Sequence, residues 1–227
     1  AVGYARKVLA KNKLNMILSG GMEAPVTPYA LLCCNTYGSL SLDNEHPQTA
    51  YRPYDSKRSG IAIGEGAGIV VMEGIKRAQS RKATIQALVS GYGYSCDGVD
   101  RINPADNSVE LARAIQMALT DAHVKTEEID YISLDGAAMD AWDDSELDAI
   151  KQVFGEHAKR IALGCPKTMF GNLLGASGAL DLISTVLIME YGLIPPIVNL
   201  DNPKVQGFNY ITKTAKEQTV RKALIIS

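Results

Sequence analysis

A single lysine, Lys167, lies in an apolar and glycine-rich segment, residues 166–178, whose pattern predicts a turn from a strand into a helix. Most lysines are surface charges, but this position predicts at least partial burial. Burying an ammonium group is costly unless a charged or hydrogen-bonding partner accompanies it. Lys167 is therefore a candidate site residue.

A second candidate position, Asp135, follows a strand predicted at 129–134. Open α/β sheets bind ligands beyond the carboxyl ends of their strands, so this position suits a functional residue. Downstream, Asp143 and Glu146 have the spacing of a carboxylate pair for acid–base chemistry. The interpretation we favour is that the two form a capping pair that opens a helix.

Glycines are concentrated in residues 60–68, after the Arg-Pro-Tyr-Asp sequence at 52–55. A phosphate-binding loop would continue with Lys and then Ser or Thr, and a dinucleotide site would continue into a helix. Neither follows here. The glycines instead predict a strand at which two backbones approach closely. Residues 14–18, closed by Gly20 and Gly21, predict another strand and a turn.

The order of elements from Ala83 onward is typical of a layered α/β fold. Predicted strands alternate with predicted helices of roughly 10–16 residues, which favours a largely parallel sheet. The strands are predicted at 83–94, 129–134, 161–163, 208–212 and 221–226, and the helices after the N-cap Asn107, from Asp143 and at 176–191. Before Ala83 the chain predicts a helix that ends near Asn12, a strand, a short helix and a strand.

Composition argues against several classes of partner. The chain has 227 residues, a net charge of −2 and scattered basic residues, which predicts neither nucleic acid nor an anionic membrane as partner. Its longest strongly apolar stretch, 182–189, is far shorter than the ~20 residues that span a bilayer. The cysteines have no metal-binding spacing, so we expect reduced thiols in a cytoplasmic protein, with no metal or cofactor. They are Cys33, Cys34, Cys96 and Cys165.

Three of these segments together resemble the β-ketoacyl synthases. The family pattern R-P-F-D-x-x-R-x-G-F-x-x-G-E-G-A-G is matched by residues 52–68, with Tyr54 and Ile61 in place of the two Phe. The family's G-G-x-E-A is matched by residues 20–24, and its K-x-M-x-G-H-x-x-G-A-x-G by residues 167–178. The order and spacing of these motifs agree with the family.

The resemblance covers nearly the whole chain, because residues 195–203 are also similar to the family's P-P-T-x-N-x-x-x-P segment. It implies a thiolase fold, an α/β protein layered α/β/α/β/α. The end of the N-terminal half would be residues 1–82, and most of the C-terminal half residues 83–227. Because the sequence begins in a helical pattern at Ala1 and stops in a strand-like pattern at Ser227, we expect a fragment of that fold.

The chain departs from the family at its working site, which by the resemblance needs a cysteine and two histidines. The cysteine position precedes the first residue. The first histidine, of H-G-T-x-T-x-x-x-D-x-x-E, is replaced by Asp135, and the two threonines of that motif by Ala137 and Met139. The second histidine is replaced by Asn172, whereas the family's lysine is present as Lys167. The three histidines of the chain match neither position: His46, His123 and His157.

These replacements affect decarboxylative condensation, in which donors must stabilise negative charge on a thioester oxygen. Asn172 can still donate through its amide. Asp135 cannot donate while it is ionised, and its charge opposes both the malonyl carboxylate and the enolate. Losing one oxyanion donor typically costs ~10²–10³ in rate, and a repelling carboxylate should cost more.

Loss of the first histidine with retention of the lysine resembles the chain length factor, the ketosynthase-like partner subunit of type II polyketide synthases. The resemblance implies a non-catalytic subunit that pairs with an active ketosynthase and with its own missing N-terminal half. Together they would bound the tunnel that sets product length, with malonyl and polyketide chains delivered by an acyl carrier protein. Two alternatives stay open: a divergent active β-ketoacyl synthase, and a malonyl decarboxylase that primes the chain.

Lys167 and Asp135 should meet, because each follows a strand at the same edge of one sheet. We expect an ion pair or a water-bridged contact that fills the former active site and favours both charged forms. Asp135→His would then destabilise the fold rather than restore condensation. We also expect Gly171 and Gly175 in a tight turn beside Asp135.

Overall fold

The computed structural model describes residues 1–11, 14–100, 103–105 and 107–227. The α-helices of these ranges are α1 Val2–Ala10, α2 Pro28–Thr36, α3 Ile75–Ser80, α4 Val109–Ala122, α5 Asp140–Phe154 and α6 Ser177–Tyr191. The strands are β1 Met16–Glu23, β2 Gly66–Glu73, β3 Tyr131–Ser133, β4 Ala162–Gly164, β5 Leu193–Ile194, β6 Asn209–Tyr210, β7 Lys216–Glu217 and β8 Ala223–Ile225. Asn12, near which we expected the first helix to end, lies outside the described residues.

A parallel sheet of four strands, in the order β6-β4-β3-β8, forms the centre of the C-terminal part. Its central strand β3 pairs with β4 on one side, where Tyr131 faces Ala162, and with β8 on the other, where Tyr131 faces Ala223. All residues of β3 and β4 are buried, as expected of parallel strands covered on both faces. The predicted layered α/β fold with a parallel sheet is confirmed.

The N-terminal strands β1 and β2 form a separate antiparallel pair in which Gly20 faces Ile69 and Gly21 faces Gly68. A Cβ atom on Gly20 would lie only 1.9 Å from Gly68 O. The close backbone approach predicted from the glycines is therefore present. The pair packs against α6 and α1.

Residues 83–94, predicted as a strand, pair with no other strand in the described chain. They are held instead by Arg6 of α1, whose guanidinium donates to Val89 O at 2.9 Å and to Ser90 O at 2.5 Å. From Gln86 to Tyr94 the segment alternates between exposed and half-buried residues, a pattern of the kind that suggests a strand. Such a pattern predicts an extended conformation, but pairing also requires a neighbouring backbone, so the strand prediction is wrong for the described residues.

Two helix starts also differ from the prediction. Helix α5 begins at Asp140 and not at Asp143, and the N-cap position of α4 is Ser108. Asn107, the predicted cap, still accepts a hydrogen bond from Val109 N at 3.2 Å through its Oδ1 atom. Helix α6 ends as predicted at Gly192, which has a left-handed φ of 65°.

By length and composition alone, the segment Leu174–Tyr191 is one that could cross a membrane. This segment includes the whole of α6 and is longer than the apolar stretch identified from the sequence. The core helix of a globular protein passes the same test. Helix α6 packs against β1, β2 and β8 and carries the fully buried Asp181, which identifies it as a core helix.

Candidate functional site

Lys167 lies in a short 3₁₀ turn, Pro166–Met169, that follows β4 directly. Thr168 secures this turn, because its hydroxyl donates to Cys165 O at 2.8 Å and accepts from Val198 N at 3.0 Å. The Lys167 side chain points into the protein and is 0% exposed. The burial expected from the apolar surroundings is therefore complete.

The ammonium group of Lys167 lies between two carboxylates. It forms an ion pair with Asp135 Oδ1 and also donates to the Asp135 backbone O at 3.1 Å. On its other side, Asp181 Oδ2 of α6 lies 3.0 Å from Nζ. The expected contact with Asp135 is present. Sequence reasoning missed Asp181, although a carboxylate in the interior of a mostly apolar helix was itself a signal that a buried partner exists.

The two carboxylates keep the side chain of Lys167 protonated. Burial acts to lower the pKa of Lys167, but the charges of Asp135 and Asp181 outweigh it, and the pKa lies above its usual value. Burial raises the pKa of Asp181 to about 7, against the opposing charge of Lys167. Lys167 is thus a fixed cation, and an ammonium group has three donors. Two of them are directed at Asp135, and Asp181 provides a second negative charge at ion-pair distance.

Asp143 and Glu146 of α5 hold the backbone turn that carries Asp135. Glu146 Oε1 accepts from Asp135 N at 2.8 Å, and Asp143 Oδ1 accepts from Ala138 N at 3.0 Å. Neither side chain caps α5, whose N-cap position is Met139. The capping interpretation is therefore wrong, because both carboxylates bind the N–H groups of the preceding turn. Both carboxylates are buried.

Arg58 adds a buried cation to this region. Its Nε lies 3.3 Å from Asp143 Oδ2, and its NH2 atom lies 2.6 Å from Asp140 Oδ1 and 2.9 Å from Asp144 Oδ1. Burial raises the pKa of Asp143 to about 7, although its backbone donors and Arg58 act in the opposite direction. The arginine of the glycine-rich motif therefore fixes the start of α5.

Asn172 is positioned by contacts with its own turn and with the glycine-rich segment. Its backbone N donates to Ala62 O at 2.8 Å, while its Oδ1 atom accepts from Leu174 N at 2.9 Å and from Ser177 Oγ at 3.2 Å. These contacts orient the side-chain amide. Among the described residues its Nδ2 atom has no hydrogen-bond acceptor.

The expected tight turn at Gly171 is present, with φ of 88°. A Cβ atom there would lie 2.9 Å from Gly64 N, and one on Gly175 would lie 2.7 Å from Glu23 Oε1. The nearest neighbours of both Cβ positions are thus N-terminal segments. The expected proximity of these glycines to Asp135 stays a prediction. The motif connects the two parts of the chain.

The histidines lie in other parts of the protein. The His46 ring contacts Asp43 in an exposed loop, His123 follows the end of α4, and the His157 ring contacts Ile129 O at 3.3 Å. Across the described ranges, no group of His, Cys, Asp and Glu side chains is arranged to hold a metal ion.

Cys165 is the one cysteine near Lys167 among the described residues, and it is buried. A Cβ atom on Gly136 would lie 2.6 Å from its sulfur, so the thiol packs directly against the turn that carries Asp135. Burial raises the pKa of the Cys165 thiol well above its usual value, with Lys167 opposing. A buried neutral thiol is a poor nucleophile, and Cys165 is a packing residue.

Comparison with protein families matches the N-terminal and the C-terminal part of the chain to two domains of one family. Residues 1–78 match the model of the β-ketoacyl synthase N-terminal domain, and residues 86–201 match that of the C-terminal domain. A 3-oxoacyl-[acyl-carrier-protein] synthase 2 from Rhizobium meliloti (strain 1021) is 37% identical over 99% of this chain and 53% of its own length. The chain thus spans about half the length of the curated relatives that it matches.

Solved structures agree. The chain is similar to one chain of a structure described as a type II polyketide synthase acyl carrier protein in complex with its ketosynthase bound to the hexaketide. The TM-score is 0.93 and the sequence identity 30%. That match covers 99% of this chain and 56% of the other. It is also similar to the ishigamide ketosynthase/chain length factor, with TM-score 0.88 and 36% identity over 97% of this chain and 52% of that one.

Proposed function

We propose that this chain, which belongs to the β-ketoacyl synthase family, is part of a ketosynthase-like subunit that does not itself catalyse condensation. One observation carries the proposal. Lys167 is fully buried between two carboxylates of the protein itself: its ammonium group donates to Asp135, and Asp181 Oδ2 lies 3.0 Å away, so its positive charge is already compensated without a substrate. The chain would supply the end of the first half, residues 1–82, and most of the second, residues 83–227.

The charge of the site supports the same function. Lys167, Asp135 and Asp181 together carry a net negative charge when all three are ionised. Asp135 stands where the family motif has histidine, and it is the most exposed of the three, with 32% of its side chain accessible. A malonyl carboxylate or an enolate oxygen that approached Asp135 would meet a like charge and not a donor.

The comparisons support the partners that we propose. One similar structure is described as a ketosynthase/chain length factor, and another as a ketosynthase in complex with an acyl carrier protein. By analogy, the complete subunit would pair with an active ketosynthase in type II polyketide synthesis. It would help to shape the tunnel that sets product length, and an acyl carrier protein would deliver malonyl and growing chains.

The test uses the complete protein, alone and with an active ketosynthase, and supplies malonyl and acyl groups on an acyl carrier protein. We expect no condensation product from the protein alone, and products of defined length only from the pair. Condensation by the protein alone at a rate near that of the active subunit would overturn the proposal and establish a divergent β-ketoacyl synthase.

A second candidate function is decarboxylation of the malonyl carrier protein to prime the chain. The observation that favours it is the Asn172 amide, whose Nδ2 donor is unused within the described residues while Oδ1 is held by Leu174 and Ser177. Release of CO₂ from malonyl carrier protein, lost in Asn172→Ala, would establish this activity. Equal release by the parent protein and by Asn172→Ala would exclude Asn172 as the donor.

A further inference from the structure

We propose that Tyr54 is a positioning residue for the degenerate site, because its hydroxyl holds Glu146 in the place from which Glu146 fixes the turn of Asp135. The hydroxyl would thereby compensate for the second negative charge that Asp135 brings close to Glu146. This inference rests on the proposed function only in that Asp135 belongs to the site.

Tyr54 is held at three points. Its hydroxyl donates to Glu146 Oε2 at 2.6 Å, its backbone N donates to Asp143 Oδ2 at 2.7 Å, and its carbonyl accepts from Lys204 N at 2.9 Å. The side chain is 1% exposed and the backbone has a φ of 65°. A bulky residue adopts this left-handed conformation only where its surroundings impose it, and such residues cluster at functional sites.

Glu146 connects Tyr54 to Asp135. Its Oε1 atom accepts from Asp135 N at 2.8 Å, and its Oε2 atom, which receives the Tyr54 hydroxyl, also lies 3.4 Å from Gly136 N. The Asp135 backbone therefore depends on the orientation of this carboxylate. That backbone in turn supplies the carbonyl and the side chain that bind Lys167. The chain of contacts from Tyr54 to Lys167 is continuous.

Glu146 lies near the negative charges of Asp135 and Asp143, so its ionised form depends on the groups that donate hydrogen bonds to it. The pKa of Glu146 is raised to about 8: burial is the largest cause, the charges of Asp135 and Asp143 act in the same direction, and the Tyr54 hydroxyl acts to lower it. The ionisable side chains that face Glu146 directly or through these partners are Tyr54, Asp135, Asp143, Arg58, Lys167, Cys165 and Tyr210. The two cations among them bind other carboxylates, Arg58 that of Asp143 and Lys167 that of Asp135. Tyr54 is therefore the side chain that donates to the ionised form of Glu146.

A Phe side chain at position 54 would leave Glu146 Oε2 without this hydroxyl donor. In this chain a histidine position has become Asp135, which places a carboxylate beside Glu146. The hydroxyl of Tyr54 offsets the repulsion between the carboxylates of Asp135 and Glu146, since a hydrogen bond to a charged acceptor is stronger than one to a neutral acceptor.

The experiment measures the unfolding equilibrium of the complete protein at pH 6 and pH 9 for the parent, Tyr54→Phe and Tyr210→Phe. Glu146 is mainly protonated at the lower pH and ionised at the higher. We expect the penalty of Tyr54→Phe on the unfolding equilibrium constant to be about fivefold larger at pH 9, because the lost bond is then charge-assisted. Tyr210→Phe is the matched control, since the Tyr210 hydroxyl donates to Val205 O at 3.1 Å. Its penalty should not change with pH.

The Tyr54→Phe change is also measured in two variants, Glu146→Gln and Asp135→Asn. These variants test the inference even if Tyr54→Phe alone is too unstable to measure. In Glu146→Gln, the added Tyr54→Phe change should have a penalty that does not depend on pH. In Asp135→Asn, the rise in the penalty should move to lower pH, because a neighbouring charge is gone. A penalty that is the same at both pH values, or an unshifted rise in Asp135→Asn, would overturn the inference. Neither result would alter the outcome of the condensation assay.

Discussion

Asp181 Oδ2 lies 3.0 Å from Lys167 Nζ, and both side chains are 0% exposed. This pair is the buried part of the site, whereas Asp135, with 32% of its side chain accessible, forms its outer part. A buried pair is costly to break from one side, because the remaining charge has neither water nor a partner. Asp181, which the sequence analysis did not identify, should therefore contribute strongly to the stability of the site.

Removal of the lysine alone should destabilise the fold strongly. Lys167→Met leaves Asp181 buried without its counter-charge, and we expect a loss of about 3–5 kcal/mol in the free energy of unfolding. Asp181→Asn should cost less, because Lys167 keeps its ion pair with Asp135. Urea denaturation of the complete protein measures both losses.

Two controls accompany this series. Lys159→Met breaks the exposed pair of Lys159 with Glu156 and should change the stability little. The double change Lys167→Met with Asp181→Leu should recover most of the stability, because it removes both buried charges. If Lys167→Met were as mild as Lys159→Met, the buried pair would not have the role assigned to it.

Stability should fall as the pH rises from about 4 to 8. Burial raises the pKa of Asp143 and of Asp181 to about 7 and that of Glu146 to about 8, all above their values in an unfolded chain. The folded state then binds more protons than the unfolded state in this window, so the unfolding free energy decreases with increasing pH. The contribution of each carboxyl group to stability is complete at pH values below its pKa in the unfolded chain. It is lost at pH values above its pKa in the folded protein.

The measurement is a series of denaturation curves between pH 5 and pH 9. Glu146→Gln removes one of the three groups and should flatten the upper part of the slope, above pH 7. A stability that rises through this range in the parent protein would contradict the prediction, since it would mean that the carboxylates are stabilised in their charged forms.

The contact between the Lys167 motif and the N-terminal part of the chain can be tested at Gly171. This residue has a φ of 88°, and a Cβ atom would lie 2.9 Å from Gly64 N. Gly207 is the matched control, with a φ of 93° and open space around its Cβ position. Gly171→Ala and Gly207→Ala share the strain of a left-handed alanine, of order 1 kcal/mol or more. We expect Gly171→Ala to cost more in thermal or urea unfolding, and equal costs would show that the close approach is unimportant.

The sequence predicted the parts of this structure that depend on local patterns. Helix α6 with its cap at Gly192, and the strands β3 and β4, could be located because apolar runs and glycines mark them directly. Pairing could not be predicted in the same way. Residues 83–94 carry an alternating pattern, yet the described chain provides no strand beside them.

The candidate site shows the same division. Lys167 and Asp135 were predicted to meet because both follow strands of one parallel sheet, and this topology follows from the order of elements. Asp143 and Glu146 were misread because their spacing fits a cap, while their true partners are backbone N–H groups of the preceding turn. Asp181 was missed because its partner lies 14 positions away across a turn that the sequence pattern does not orient.

Restoring the first histidine alone should not restore condensation. In Asp135→His the second histidine position is still Asn172, and Lys167 remains bound to Asp181, so the donor set is still incomplete. The sequence alone suggested that this change would leave Lys167 without a partner. Because Asp181 persists, we expect only a modest loss of stability, smaller than that of Lys167→Met.

Condensation assays of the complete protein with malonyl and acyl carrier proteins measure the effect, with Asp135→Asn as the matched variant that removes the charge without adding an imidazole. We expect no product from either variant. Asp135→Asn should be the less perturbing in denaturation, because Asn can still accept from Lys167 through its Oδ1 atom. Condensation by Asp135→His at a rate approaching that of an active ketosynthase would mean that a single charge at position 135 keeps the site inactive.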